Sequence, residues 1–172
     1  MRLLVPIVCL IACGAGSGDS AAPTEGPCAL GPDPTVDAGH GELRFMEFED
    51  GPATPVELIH GPQGGYHSTI AVRAQHMKPD HAYVINLVGT IDGVELGGGT
   101  PLSEFRCNHR VEAQEFTGGL LIWDAEPEEL HAKRATVNIH VIDPEQQTQS
   151  GQPVIVAMDT AEFTIWDPAL EN

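Results

Sequence analysis

The stretch Ala135-Thr136-Val137-Asn138-Ile139-His140-Val141 alternates apolar and polar side chains without a break. A period of two residues is typical of a β-strand with one face in a core and the other toward solvent. Residues 66–74 and 83–87 alternate in the same way, and Asp92-Gly93 then favours a tight hairpin turn. The repeated pattern predicts a protein made mainly of antiparallel strands.

Turn-forming residues divide the other apolar stretches into short strands. Residues 43–45 and 120–123 are strand candidates, and residues 153–165 supply one long or two broken strands. Asp143-Pro144 is expected to end the strand quoted above. The total of seven to nine strands is typical of a β-sandwich.

One helical segment is predicted between the strands. Asp124 belongs to the residue types that cap helices, and residues 126–129 place a proline and acids in the first turn, as helix starts prefer. A turn or two of helix is therefore expected to run through Leu130.

The C-terminal part of the domain resembles the immunoglobulin-like fold. In that fold a short helical crossover often precedes the penultimate strand, and residues 135–143 with residues 153–165 resemble its last hairpin. The Cys-Trp-Cys core pattern of immunoglobulin domains is absent, so the resemblance is one of architecture. It implies a single antiparallel immunoglobulin-like β-sandwich over residues 39–172.

Length and charge limit the class of function. The chain has 172 residues, with 8 Lys and Arg against 25 Asp and Glu, a formal net charge of −17. This length suits one domain with a buried core, and 41% hydrophobic residues is too many for a wholly disordered acidic chain. Nucleic acids and anionic membrane surfaces attract clustered Lys and Arg, so the charge argues against both as direct partners.

The N-terminus reads as a secretory signal peptide. Met1-Arg2 precedes an apolar run over residues 3–12, which is shorter than the roughly 20 residues needed to span a bilayer. Leu10-Ile11-Ala12-Cys13 resembles a bacterial lipobox, which implies removal of residues 1–12 and lipid modification of Cys13. The alternative is an ordinary signal peptide that is cut nearby and discards Cys13.

The lipobox resemblance implies a lipid-anchored protein of the cell envelope. In lipoproteins an aspartate after the cysteine tends to mark inner-membrane retention; Gly14 stands there in this chain, which favours the outer membrane if the host has one. The domain would then lie in the periplasm or at the surface. Residues 13–38 are mostly small and polar and are expected to form a flexible tether.

The cysteines predict one disulfide. Cys9 lies in the segment to be removed and Cys13 would carry the lipid, which leaves Cys28 and Cys107. Two cysteines in an oxidising compartment are most simply explained by a bond between them. The alternative role for Cys107 is that of a nucleophile or a metal ligand.

The stretch Gly61-Pro62-Gln63-Gly64-Gly65-Tyr66-His67 is the most distinctive short motif. It resembles a GxQGGxH segment of sandwich-type bacterial lipoproteins without an assigned function. One reading is a loop that presents Gln63 and His67 to a ligand, and the other is a structural turn whose Gln amide satisfies backbone groups.

Eight histidines in an acidic chain suggest a metal site as a second hypothesis. Imidazole binds zinc and copper well. The best candidates are His76, His81 and His109, because Met77 and Cys107 lie nearby in sequence and would add soft ligands. The histidines are otherwise scattered, and no pair has the spacing of a helical metal motif.

The sequence lacks the signatures of common enzymes. It contains no Gly-x-Ser-x-Gly elbow and no phosphate-binding loop, since Gly97-Gly98-Gly99 is followed by Thr100-Pro101. Ser68 and His67 point to opposite faces of one strand and cannot act together. We therefore expect a non-catalytic binding or structural module without a cofactor, anchored in the membrane by lipid and binding another envelope protein or a glycan. The alternative function is a copper- or zinc-binding lipoprotein.

Overall fold

The computed structural model of the protein describes Gly26, residues 28–62 and residues 64–171. The described chain is mainly β and contains one four-residue α-helix, α1 (Pro127–Leu130), with 3-10 turns at Gly51–Ala53 and Pro168–Leu170. The strands are β1 (Thr35–His40), β2 (Met46–Glu47), β3 (Pro55–Glu57), β4 (Ile59–His60), β5 (Tyr66–Gln75), β6 (Ala82–Ile91), β7 (Val94–Gly99), β8 (Leu102–Glu104), β9 (Arg106–Asn108), β10 (Ala113–Trp123), β11 (Arg134–Gln147) and β12 (Pro153–Trp166).

The twelve strands join in one mostly antiparallel sheet. Its main path runs β2-β1-β5-β10-β7-β6-β11-β12-β3, and β4, β8 and β9 pair with β5, β6 and β10. The pairing of β3 with β12 is parallel. The sheet curls so that β1 lies against β12, where the Asp159 carboxylate accepts a hydrogen bond from the Ala38 N–H at 2.7 Å.

The core lies on the inner faces of the long strands. β6 and β11 alternate buried and half-buried residues through most of their length, as period-two strands with one face in a core should. Trp123 is 3% exposed, and its ring lies over Gly89 and Gly97, where an added Cβ would come within 2.9 and 2.8 Å of it. Its indole N–H donates to Ser68 Oγ at 3.2 Å. The glycines of this part of the sheet therefore make room for a large core side chain.

A short bridging segment joins two distant strands at one end of the sheet. β3 pairs with the end of β12, while β4 pairs with the start of β5. Leu58 between them is 1% exposed, and its N–H donates to the Trp166 carbonyl at 2.8 Å. This segment sets His60 beside the residue that follows β12.

Several predicted elements are confirmed. β5 and β6 occupy the predicted alternating stretches, and Ser68 and Ile70 are buried. Asp92 and Gly93 have φ values of 51° and 78°, the positive pair that a tight two-residue hairpin turn requires. In the part of the chain that the structure describes, no helix is long and apolar enough to cross a membrane.

Other predictions were wrong in extent. The expected seven to nine strands are twelve, because β2, β4, β8 and β9 are two- or three-residue strands formed by pairing with longer neighbours. Residues 43–45 form no strand: Phe45 is buried, whereas Leu43 is 90% exposed. The predicted tether over residues 13–38 extends too far, since β1 begins at Thr35.

Two predicted element ends also differ. Asp143-Pro144 does not end β11, which continues to Gln147 because β12 pairs with its last residues across an irregular register. The helix begins later than predicted, with Glu126 rather than Asp124 as its N-cap residue.

Candidate functional site

The predicted disulfide is present and defines one end of the molecule. Cys28 and Cys107 are bonded, with their Cα atoms 5.6 Å apart and a separation of 79 positions in sequence. Cys28 and Ala29 are buried, so the disulfide holds the N-terminal segment against the domain. We call this region, with His81 and Asp143, the disulfide end. Cys107 consequently offers no thiolate as a nucleophile or ligand.

A buried histidine–aspartate pair lies at the disulfide end. His81 Nε2 is 2.9 Å from Asp143 Oδ1, and the two side chains are 6% and 5% exposed. Asp143 also accepts hydrogen bonds from the Glu145 N–H and the Gln146 side chain. The ring of His81 meets that of Tyr83 edge to face. All these contacts are internal, which gives the pair a structural role.

A second histidine–aspartate pair lies at the opposite end of β11 and β12. His60 Nε2 is 2.9 Å from Asp167 Oδ2, with side-chain exposures of 48% and 1%. Asp167 caps the last 3-10 turn by accepting from the Ala169 N–H, and its own N–H donates to His131 Nδ1. We call this region, with α1 and the glycine turn of residues 61–65, the loop end.

Both aspartates are held in the ionised form. Burial acts to raise the pKa of Asp167, but the Ala169 N–H and the His60 ring bond its carboxylate and lower the pKa below the ordinary value. Burial also opposes ionisation of Asp143. There the Glu145 N–H, with His81 and Gln146, lowers the pKa overall.

The glycine motif forms a turn that pairs β4 with β5. The Gly61 N–H donates to the Gly65 carbonyl at 3.0 Å, and Gly64 and Gly65 have φ values of 80° and 99°. His67 lies on the outer face of β5, opposite Ile59. Gln63 lies outside the described residues, as does Cys13, so their predicted roles stay predictions.

The turn places His60 directly opposite Tyr66 at the loop end. Their rings meet edge to face at 5.0 Å. Burial raises the pKa of Tyr66, and Glu126, which accepts its hydroxyl hydrogen bond at 3.3 Å, raises it further. An open groove of about 430 Å³ beside them is lined by Tyr66, Trp123 and the carboxylates of Asp124, Glu126 and Glu129. Because Glu126 and Glu129 are tied to Tyr66 and to the start of α1, the groove is part of the local scaffold.

The three predicted metal ligands have separate partners. His81 bonds Asp143, His76 Nδ1 is 3.3 Å from the Asp33 carbonyl oxygen, and His109 Nδ1 is 3.5 Å from the disulfide sulfur of Cys107. Over Gly26, residues 28–62 and residues 64–171, no group of three or more His, Cys, Asp or Glu is arranged to hold a metal ion. The structure thus brings none of these histidines into a metal site.

Apolar side chains form a row across the outer face of four strands, half-buried at Val84 and Ile142 and exposed at the two ends of the row. Leu102 on β8 lies opposite Val84 on β6, Val84 opposite Ile142 on β11, and Ile142 opposite Ile155 on β12. Leu102 and Ile155 are 66% and 49% exposed, and Met158, three residues after Ile155 on β12, is 69% exposed. We call these five residues the outer apolar band. Directly opposed residues share a face about 5 Å apart, so the row from Leu102 to Ile155 is continuous. Met158 follows Ile155 on the same face of β12, opposite His140.

A β-bulge in β12 completes the outer apolar band. Val141 pairs with Ala157 but Ile142 pairs with Ile155, so Val156 is an extra residue. Val156 and Ala157 both pack against the core. Strict alternation would set Ile155 and Met158 on opposite faces, and the bulge turns both outward.

Sequence reasoning missed both the second histidine pair and the outer apolar band. His60 and Asp167 are 107 residues apart in the chain, and no local pattern joins them. Apolar residues at outward positions of β11 and β12 were an available signal, because a solvent-facing strand position is ordinarily polar.

Comparison with known proteins leaves the geometry as the guide to function. No family model matches the chain, and no curated protein matches it. Among solved structures it is similar, at a TM-score of 0.48 and 10% identity over 77% of this chain, to a bacterial adhesin from Mobiluncus mulieris containing intramolecular disulfide, isopeptide and ester bond cross-links. The chain spans 57% of that structure's length.

Proposed function

We propose that the protein is a non-catalytic binding module of the cell envelope that docks another protein through the outer apolar band. In this proposal Cys13 carries the lipid anchor and the domain is an immunoglobulin-like β-sandwich. The single observation that supports docking is the unbroken apolar row across β8, β6, β11 and β12.

The sandwich is supported by the small number of residue pairs that connect the two halves of the sheet. β10 and β7 share only the pairs Ile122 with Gly98 and Trp123 with Gly97. The strands on either side of these pairs contribute their inner faces to one core cluster, with Ile70 and Leu121 from one side and Ile85 and Ile139 from the other. Two half-sheets over a shared core are the defining arrangement of a sandwich.

The outer apolar band differs from the scattered apolar residues that any surface carries. Single exposed aliphatic side chains are common, whereas adjoining ones favour a surface that another molecule covers. The side chains of the band offer no hydrogen-bonding groups for a sugar, which favours a protein partner over a glycan.

Three carboxylates lie on the same face as the outer apolar band. Glu104 lies one row beyond it on β8, and Glu95 and Glu162 lie on the same face toward the loop end. All three are exposed. A partner with an apolar centre flanked by Lys or Arg complements this surface.

In-cell photo-cross-linking tests the docking surface. A photoreactive amino acid at Ile155, in the full-length chain in its own host, is expected to give a discrete cross-linked product. The matched control is Leu43, which is 90% exposed but lies away from the band. Equal or greater cross-linking from position 43 would mean that exposure alone drives the reaction and would overturn the proposal.

Charge reversal tests the flanking carboxylates. Glu104→Lys and Glu162→Lys, each made singly, are both expected to lower the cross-link yield from position 155, because each would repel a basic partner. Glu128→Lys, an exposed position on α1, is the control and should leave the yield unchanged. An equal fall in the control would indicate an effect of net charge alone.

Fatty-acid labelling tests the anchor separately. Labelled fatty acid is expected to enter the wild-type chain and to be absent from a Cys13→Ala chain. Label retained in the variant would rule out Cys13 as the lipid site.

A further inference from the structure

We propose that Met158 is a site of oxidation, at which a peroxide places a polar group at the β12 edge of the outer apolar band. The effect on partner binding rests on the docking function proposed above. The oxidation itself rests only on the position of the side chain.

The methionines of the described chain differ sharply in access. Met158 is 69% exposed, whereas Met77 is 0% exposed. Met46 is half-buried. Since the susceptibility of a thioether follows its exposure to the oxidant, Met158 is the preferred target. Met77 provides a control of the same chemistry inside the same molecule.

Among the residues that the structure describes, no cysteine thiol competes for the oxidant. Cys28 and Cys107 are already joined in a disulfide. The sulfur of Met158 attacks one oxygen of hydrogen peroxide, so that an S–O bond forms as the O–O bond breaks. The sulfur loses two electrons, the peroxide is reduced by two, and the second oxygen leaves as water.

The place of Met158 in the sheet gives the modification its consequence. Met158 lies directly opposite His140 on β11, and Ile155 precedes it across the bulge that turns both outward. The thioether is soft and apolar, whereas the sulfoxide is polar and carries a strong hydrogen-bond acceptor. A partner surface that covers the band would have to desolvate that oxygen without offering it a hydrogen bond.

Peptide mapping after graded peroxide treatment tests the site. With the disulfide intact, the peptide containing Met158 is expected to gain one oxygen at least about tenfold faster than the peptide containing Met77, because rate follows exposure. Met46 should react at an intermediate rate. If Met77 reacts as fast as Met158, the assignment of the site is wrong.

Retention on a phenyl column tests the change of surface. Wild-type protein should elute earlier after peroxide, and Met158→Gln should elute early without it. Met158→Leu should keep the untreated retention after the same peroxide treatment. Loss of retention by Met158→Leu equal to that of the wild type would place the responsible oxidation elsewhere and overturn the proposal.

The cross-link from position 155 separates this proposal from the docking function. Its yield should fall after peroxide in the wild type and persist in Met158→Leu. Absence of the cross-link even without peroxide would defeat the docking function, while the mapping and the column would still decide whether Met158 is the oxidation site. A cross-link that survives full oxidation of Met158 would overturn its effect on binding.

Discussion

The disulfide end and the loop end contain the same chemical pair in different surroundings. At the disulfide end His81 and Asp143 are 6% and 5% exposed, and at the loop end His60 and Asp167 are 48% and 1% exposed. Each histidine nitrogen is 2.9 Å from its carboxylate. The distances are equal, and the pairs differ in exposure. Water can therefore replace the histidine more easily at the loop end than at the disulfide end.

This comparison distinguishes a buried pair that stabilises the fold from a pair whose histidine faces solvent. An aspartate that loses a buried partner keeps an unsatisfied charge, whereas one beside an open site can be hydrated. The disulfide end is also clipped by Cys28–Cys107, and the loop end is closed by the glycine turn and by backbone pairing. The four changes below should therefore affect the two ends unequally.

The largest effect is expected from removing the disulfide. Because the bond closes a loop of 79 residues in sequence, Cys28→Ser with Cys107→Ser should lower the free energy of unfolding by about 4 kcal/mol in the chain-entropy model. Urea denaturation measures the change, and wild-type protein unfolded with a reductant serves as the control. An unchanged midpoint in the double variant and in the reduced wild type would mean that the disulfide adds nothing to stability.

The next effect is expected at His81. His81→Ala should lower the free energy of unfolding by about 3 kcal/mol, because it breaks a buried pair and leaves Asp143 without its imidazole partner. His81→Gln restores a donor and should lose less. Denaturation of both variants at neutral pH checks this, and equal losses would show that ring packing on Tyr83, rather than the pair, is responsible.

The comparison also shows which features a sequence can predict. β5, β6 and most of β11 follow from their alternation, and the hairpin at Asp92-Gly93 follows from its turn residues, because both signals are local. β2 and β4 are two residues long, too short to show any period. They form because their backbone groups hydrogen-bond to those of a longer neighbouring strand.

The long-range features depend on packing that no local pattern encodes. Gly97 lies in β7, where a glycine is required because the Trp123 ring, which comes from β10, would meet a Cβ at 2.8 Å. The disulfide was predictable because elimination left only two cysteines. Eight histidines and many acids allow far too many pairs for His60 and Asp167 to be chosen in the same way.

A smaller effect is expected at His60, the counterpart of His81. His60→Ala should lower the free energy of unfolding by at most about 1 kcal/mol, because half of the ring is already exposed and water can solvate Asp167 through the space it leaves. The same denaturation series gives the difference between the two alanine variants. A loss at His60 as large as that at His81 would contradict the distinction between the two ends.

The smallest effect is expected in how the free energy of unfolding falls at acidic pH. Both aspartates have a pKa below the ordinary value of 3.8 in the folded protein, so between that value and the folded pKa the unfolded chain binds more protons. Their stabilisation is therefore complete above the ordinary aspartate pKa and is lost as the pH falls below it and through the folded pKa.

Asp143→Asn and Asp167→Asn should both reduce the dependence of the free energy of unfolding on pH in this range, and Asp143→Asn should reduce it more. Asp143 accepts bonds from His81, the Glu145 N–H and Gln146, whereas Asp167 accepts from His60 and the Ala169 N–H. Denaturation midpoints measured from about pH 6 down to about pH 3 give the slopes, and each variant is compared with the wild type so that the other carboxylates cancel. Equal slopes in the two variants would contradict this prediction. They would mean that the number of hydrogen-bond donors does not determine how far the pKa of each carboxylate is lowered.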